Sequence, residues 1–311
     1  VFIERSPGLA PGANQSNGVI TMTKIMNPLC RKATLVSVDI SQWTARKLDK
    51  KVTQKVNAEH GASEDAGRYN KLLIEAKRLQ RINGLVSKAR DLHYRLTKPW
   101  ADQGLRILPN RLHAKFAEEF RVLKREFNEA VDEFCAGYPD FVAERRRALN
   151  GLFDANDYPS PDEIRSKFNL DTKTFPVPDS DDFRSDVLDK DMLDDIRREM
   201  DATNAKVLDG AMRDTVDEIA KVIGHMSEKL KAYKNDNSFF TGSLVDNVRE
   251  LADLLPAFNF ADDPKFDAVA ERIKRELCVE EAETLRKDDT VRASVQKSAD
   301  DILKDVESLL G

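Results

Sequence analysis

The 311-residue chain is 34% charged and only 7% aromatic, with a net charge of −5. Three widely separated cysteines, Cys30, Cys135 and Cys278, exclude a disulfide framework, and no apolar run approaches the length of a membrane-spanning helix. So much charge with so few aromatics predicts long helices that each bury only a narrow apolar stripe.

The charge is unevenly divided. Residues 1–151 carry 27 Lys+Arg against 17 Asp+Glu, a net of +10, whereas 152–311 carry 23 against 38, a net of −15. Such a division predicts halves that attract each other or that serve different partners.

Residues 1–21 include RSPGLAPGANQSNG, which has nothing to bury; they are expected to form a disordered tail, with Met22 or Met26 the more natural start. No signal peptide is read there, and the cysteine usage points to a reducing cytoplasm. TLVSVDI, 34–40, alternates as a strand does, and Ser41 is read as the cap of a helix that follows through Val56, with Trp43 a packing anchor. From Tyr69 to Leu96 apolar residues recur at three and four, predicting one helix of about seven turns. Pro99 and Gly104 break it, and Leu105 and Ile107 offer a second strand.

A helix from Pro109 carries Leu112, Phe116, Phe120, Leu123, Phe127, Val131 and Phe134, a ladder that reads as a core seam. AGYPDF is expected to bend it after Ala136, with further helix to about Leu152. Ser160, Pro161 and Glu163 form a capping-box signature, and FNLDTKTF then alternates as a third strand near 169–175. The three strands are expected to meet in one small sheet, since a lone strand is marginal in water.

Ser180 with Asp181 and Asp182 is read as opening the next helix, whose seam begins at Leu193, Ile196 and Met200. Met212, Val216, Ile219, Ile223, Met226, Leu230 and Tyr233 continue it at heptad spacing, which calls for a partner helix. A turn at 234–243, a return helix ended by Pro256, a helix capped by Asp263 and Pro264, and a last helix through Val291, Val295, Ile302, Val306 and Leu309 predict an antiparallel hairpin or three-helix arrangement. The fold class is therefore mainly α: long antiparallel helices and coiled-coil-like hairpins with a small three-stranded sheet. Three regions follow: a tail, 1–21; a basic helical domain with the sheet, 22–184; and an acidic helical bundle, 185–311.

His60, His93, His113 and His225 lie at no metal-ligand spacing, and neither a phosphate-binding glycine loop nor GxSxG is present. No catalytic, cofactor-binding or metal-ligating residue is assigned, no cofactor is expected, and the chain is read as a non-enzyme.

VDISQWTARK, then GLRILP, then Glu119, Phe120, Phe134 and Tyr138 occur in an order that resembles a family of uncharacterised phage and prophage proteins, over roughly residues 34–184. The family's pattern would place Val before Pro109, where this chain has Leu108. The resemblance carries no catalytic residue with it. It implies an accessory role beside MoxR-type AAA+ ATPases and von Willebrand factor A-like proteins.

The leading expectation is a helical scaffold or adaptor acting by protein–protein contact, with itself or with such an ATPase or von Willebrand factor A-like protein. The alternative is non-specific nucleic-acid binding by the basic half, through Arg78, Arg81, Lys88, Arg90, Arg95, Arg145, Arg146 and Arg147.

Overall fold

A computed structural model describes residues 28–100, 104–233 and 240–307. The segment read as a tail, 1–21, lies outside these residues, as do 234–239 of the predicted turn and Leu309. The protein is mainly helical with a small antiparallel sheet.

A single turn, α1 (Pro28–Lys32), leads into β1 (Ala33–Ser41). Adjacent residues Leu35 and Val36 point to opposite faces and both are buried, so β1 is covered on both sides. A ribbon of β2 (Arg46–Leu48) and β3 (Asn70–Leu72) brackets α2 (Lys50–Glu59). Next come α3 (Gln80–Arg95), β4 (Lys98–Pro99), β5 (Arg106–Pro109) and α4 (His113–Leu149). Then α5 (Pro161–Ile164) leads into β6 (Asn169–Pro176), which completes a sheet of order β4-β5-β1-β6.

The three expected strands therefore do share one sheet, with the two residues of β4 added as a fourth. β6 pairs with β1 from Thr34↔Pro176 to Ser41↔Asn169, although 130 residues separate Asp39 from Asn169. The capping box delivers the chain to β6: Ser160 Oγ accepts from Glu163 N at 3.3 Å, and the Glu163 carboxylate accepts from Ser160 N at 3.0 Å.

Several expectations are corrected. Ser41 stays in the sheet and caps nothing; Ala45, at φ 52°, turns the chain, and Asp49 caps α2 by accepting from Val52 N at 3.1 Å. Residues 69–79 are not helical throughout, because Lys71 points inward to Asp49 and Asp157 while Leu72 faces solvent, the alternation of a strand. Pro139 does not divide α4. It sits exposed inside the helix, where Phe134 and Tyr138 before it and Phe141 after it hold both sides against the core. Pro256 likewise lies within a helix rather than at its end. Ser180–Asp182 make only one tight turn, and the long helix begins later, capped by Asp189 accepting from Met192 N at 2.9 Å.

That helix, α6 (Lys190–Ala232), packs on α7 (Ser243–Phe258) and α10 (Asp289–Glu307), α8 (Pro264–Leu277) packs on the same two, and short α9 (Ala282–Lys287) links α8 to α10. Ser227 donates to Asp300 at 2.5 Å and Arg292 lies over the Tyr233 ring, so α10 runs antiparallel to α6. Lys274 pairs with Asp253 and Arg249 donates to Cys278 O, which makes α7 and α8 antiparallel too. The heptad seam thus meets a bundle of four helices, where a hairpin or three helices were expected. Val216, Ile219, Ile223, Met226 and Leu230 are all buried in it.

Two cores result. The first joins the sheet, α3 and α4 and reaches Ala211, Leu254, Phe258 and Phe260; the second fills the bundle from Val216 to Val306. They divide inside α6, between Ala211 and Val216. Ile223 is fully buried in the second core. Ile223→Ala is therefore expected to cost about 2–5 kcal/mol, whereas Asp217→Asn on the exposed face should stay within about 0.5 kcal/mol. Urea unfolding of the two variants checks the pair, and equal costs would contradict the assignment of the seam.

Candidate functional site

The predicted basic residues do not form one open face. Arg78 donates to both Glu144 oxygens, at 3.0 and 3.2 Å, and its guanidinium lies 4.4 Å from the Phe141 ring centroid. Arg81 pairs with Glu133; Arg95 pairs with Glu119 at 2.7 Å and with Glu250 of α7. Arg145 donates to Leu72 O at 2.7 Å, and Arg146 stacks 5.1 Å from the Phe153 ring. Lys88, Arg90 and Arg147 are exposed, on two different helices. A cation paired with a carboxylate has less charge to offer a phosphate backbone, so three of the eight expected contacts, Arg78, Arg81 and Arg95, are already engaged within the chain.

Much of the remaining charge joins the two cores. Lys98 of β4 is 6% exposed, pairs with Glu218 of α6 and lies 4.7 Å from the Phe258 ring of α7. Lys32 donates to Phe260 O at 2.8 Å and pairs with Asp262, and Arg111 donates to Pro256 O at 3.1 Å. The basic and acidic parts of the chain are thereby in contact across this junction.

The surface that stands out is apolar and lies on the first part of α6. Among the described side chains of that helix, none is buried before Asn204, yet Met192, Ile196 and Met200 recur every four residues, with Leu193 beside them. Met192 is 51% exposed, and Val187, just before the helix, is 91% exposed. Ile196, Met200 and Thr203 form one wall of a shallow groove of about 240 Å³, whose other wall is Trp100 and Pro178. Asn204 holds α6 in place by donating to Pro178 O at 2.9 Å, and Arg197 donates to Phe183 O at 3.1 Å. Leu193, Ile196 and Met200 were legible in the sequence as a seam. That the seam has no partner helix here among the described residues was not, because a period shows which residues share a face but not what covers it.

A second depression, of about 420 Å³, lies beside β1 and is lined by Val38, Ile40, Arg90, His93, Tyr94, Gly104, Leu105 and Arg106. His93 is buried with Nε2 3.3 Å from Val36 O, a carbonyl that only accepts, so Nε2 carries a proton. Burial pushes its pKa down to about 4; nearby Arg106 adds to this and the Val36 hydrogen bond partly opposes it. Cys30, Cys135 and Cys278 are unpaired thiols whose pKa burial raises, which makes them poor nucleophiles. Among the described residues no three His, Cys, Asp or Glu side chains are grouped to hold a metal ion, and no helix is long and apolar enough to cross a membrane.

No family model, curated protein or solved structure matches the chain.

His93 yields a pH prediction. Unfolding restores its ordinary value of 6.5, so between about 6.5 and about 4 the unfolded chain binds the extra proton. The stabilisation present above pH 6.5 is then lost progressively as pH falls through that window. Urea midpoints measured across it should drop more steeply for the native chain than for His93→Gln; parallel slopes would contradict the buried neutral imidazole.

Proposed function

We propose that the chain is a phage-encoded helical scaffold or adaptor that works by protein–protein contact, accessory to an AAA+ ATPase system, and that the first part of α6 is its partner-binding surface. One observation carries this reading: a helical stretch with a stripe of four apolar side chains, Met192, Leu193, Ile196 and Met200, has no buried side chain before Asn204. Helices in proteins draw most of their stability from packing such a face. A helix laid into the groove at i, i+4 and i+8 would complete that packing.

Chemistry narrows the partner. Asp191 and Glu199 border the stripe, so an amphipathic helix with an apolar centre and basic flanks matches it in both shape and charge. The AAA+ ATPase and the von Willebrand factor A-like protein implied by the family resemblance are the candidates for carrying that helix.

The test is co-purification of the chain with an AAA+ ATPase and a von Willebrand factor A-like protein encoded beside it. Ile196→Asp combined with Met200→Asp should abolish the complex while lowering the thermal unfolding midpoint only slightly, because both side chains are half-buried and belong to neither core. A complex that survives both substitutions would refute this surface; the absence of any complex with either protein would refute the adaptor reading.

A further inference from the structure

The depression beside β1 holds an unusual cation. Arg106 is half-buried, and its guanidinium donates through Nε to Thr97 Oγ1 at 2.7 Å and through Nη2 to Thr97 O at 3.0 Å, with the Tyr94 ring 4.8 Å away. Among the described residues no carboxylate lies within ion-pair distance of it; Asp214 of α6 contributes only a longer-range field. Elsewhere Arg78, Arg81 and Arg95 all have carboxylate partners. A partly desolvated guanidinium with no ion pair among the described residues is costly, and an external anion would relieve that cost.

Three features of the same cleft point the same way. Arg90, one helical turn before Tyr94, brings a second guanidinium and has no ion pair among the described residues. His93 is held neutral, so it adds a ring wall rather than a charge. The pairing of β1 with β5 ends at Val36↔Arg106, while on its other edge β1 continues to Ser41↔Asn169. The backbone of 37–41 on the β5 side therefore has no strand partner among the described residues and can offer N–H donors.

We infer that this cleft binds the phosphate group of a small molecule, with Arg106 and Arg90 as its two charged contacts and the Tyr94 ring as its flank. Two guanidinium forks from separate elements suit a group with three exposed oxygens better than a planar carboxylate, which one fork already satisfies. The cavity's size admits a compact phosphate ester but not a duplex.

The experiment is a calorimetric titration of the full chain with inorganic pyrophosphate at fixed ionic strength, beside citrate and a single-stranded oligonucleotide. Pyrophosphate should bind, and Arg106→Gln and Arg90→Gln should each weaken it about tenfold or more, as expected for losing a charge-assisted hydrogen bond. Arg147→Gln, a distant exposed cation, should leave it unchanged. Because Arg106 also ties down Thr97, Arg90→Gln, on the exposed helix surface, is the variant that keeps the test valid if Arg106→Gln misfolds. The inference fails if pyrophosphate does not bind or if Arg147→Gln weakens it equally. It fails also if citrate binds as tightly, which would indicate carboxylate recognition, or if the oligonucleotide binds more tightly with equal sensitivity to Arg147, which would indicate a nucleic-acid backbone.

Discussion

Lys98 sits where the sheet, α6 and α7 converge, with its ammonium between the Glu218 carboxylate and the Phe258 ring. At 6% exposure that charge has almost no water to fall back on. Removing the Glu218 carboxylate while the site stays closed would leave that ammonium buried and unpaired, a change that typically costs several kcal/mol. Arg95, bridging Glu119 of α4 and Glu250 of α7, adds a more solvated clamp beside it. These contacts fix how the bundle is placed against the sheet, and with it the line of α6.

The two parts of α6 then have different environments. From Val216 to Leu230 its seam is enclosed by α7, α8 and α10, and around Val207, Leu208 and Ala211 it rests on the first core. Before Asn204 it runs past both cores; among the described residues Trp100, Pro178, the turn at 180–182 and Phe183 lie beside it. One helix thus serves as a structural member at one end and presents an incompletely covered apolar stripe at the other. The proposed adaptor role depends on this arrangement, since a stripe held out by a rigid anchor is ordered before a partner arrives and little entropy is lost on binding.

Much of this organisation could be read from the sequence wherever a period ran long enough to be unambiguous. The Phe116–Phe134 ladder, apart from half-buried Leu123, and the 216–230 seam are buried as their spacing implied, and Trp43 packs on Phe134 and Tyr138. Short elements were less legible. The β2–β3 ribbon has three residues per strand, and Leu72, Leu73 and Ala76 happen to fit a helical period that the inward pull of Asp49 and Asp157 on Lys71 overrides. Helix α9 is too brief to show a period, and Pro139 and Pro256 look like stops unless the packing around them is known. The basic residues were legible as charges but not as ion pairs, because Glu133, Glu144 and Glu250 are remote in sequence. Arg106 carried no signal of the role inferred for it, since its distinction is that no ion pair reaches it among the described residues.

The claim at the centre of this account, that α6 is one helix with an anchored part and an incompletely covered part, is tested most directly by native-state hydrogen exchange resolved along the helix. The account predicts that amides of 216–230 exchange only through global unfolding, while those of 193–203 exchange through local opening at much lower free energy. Uniform, globally limited protection from residue 193 to residue 230 would contradict it.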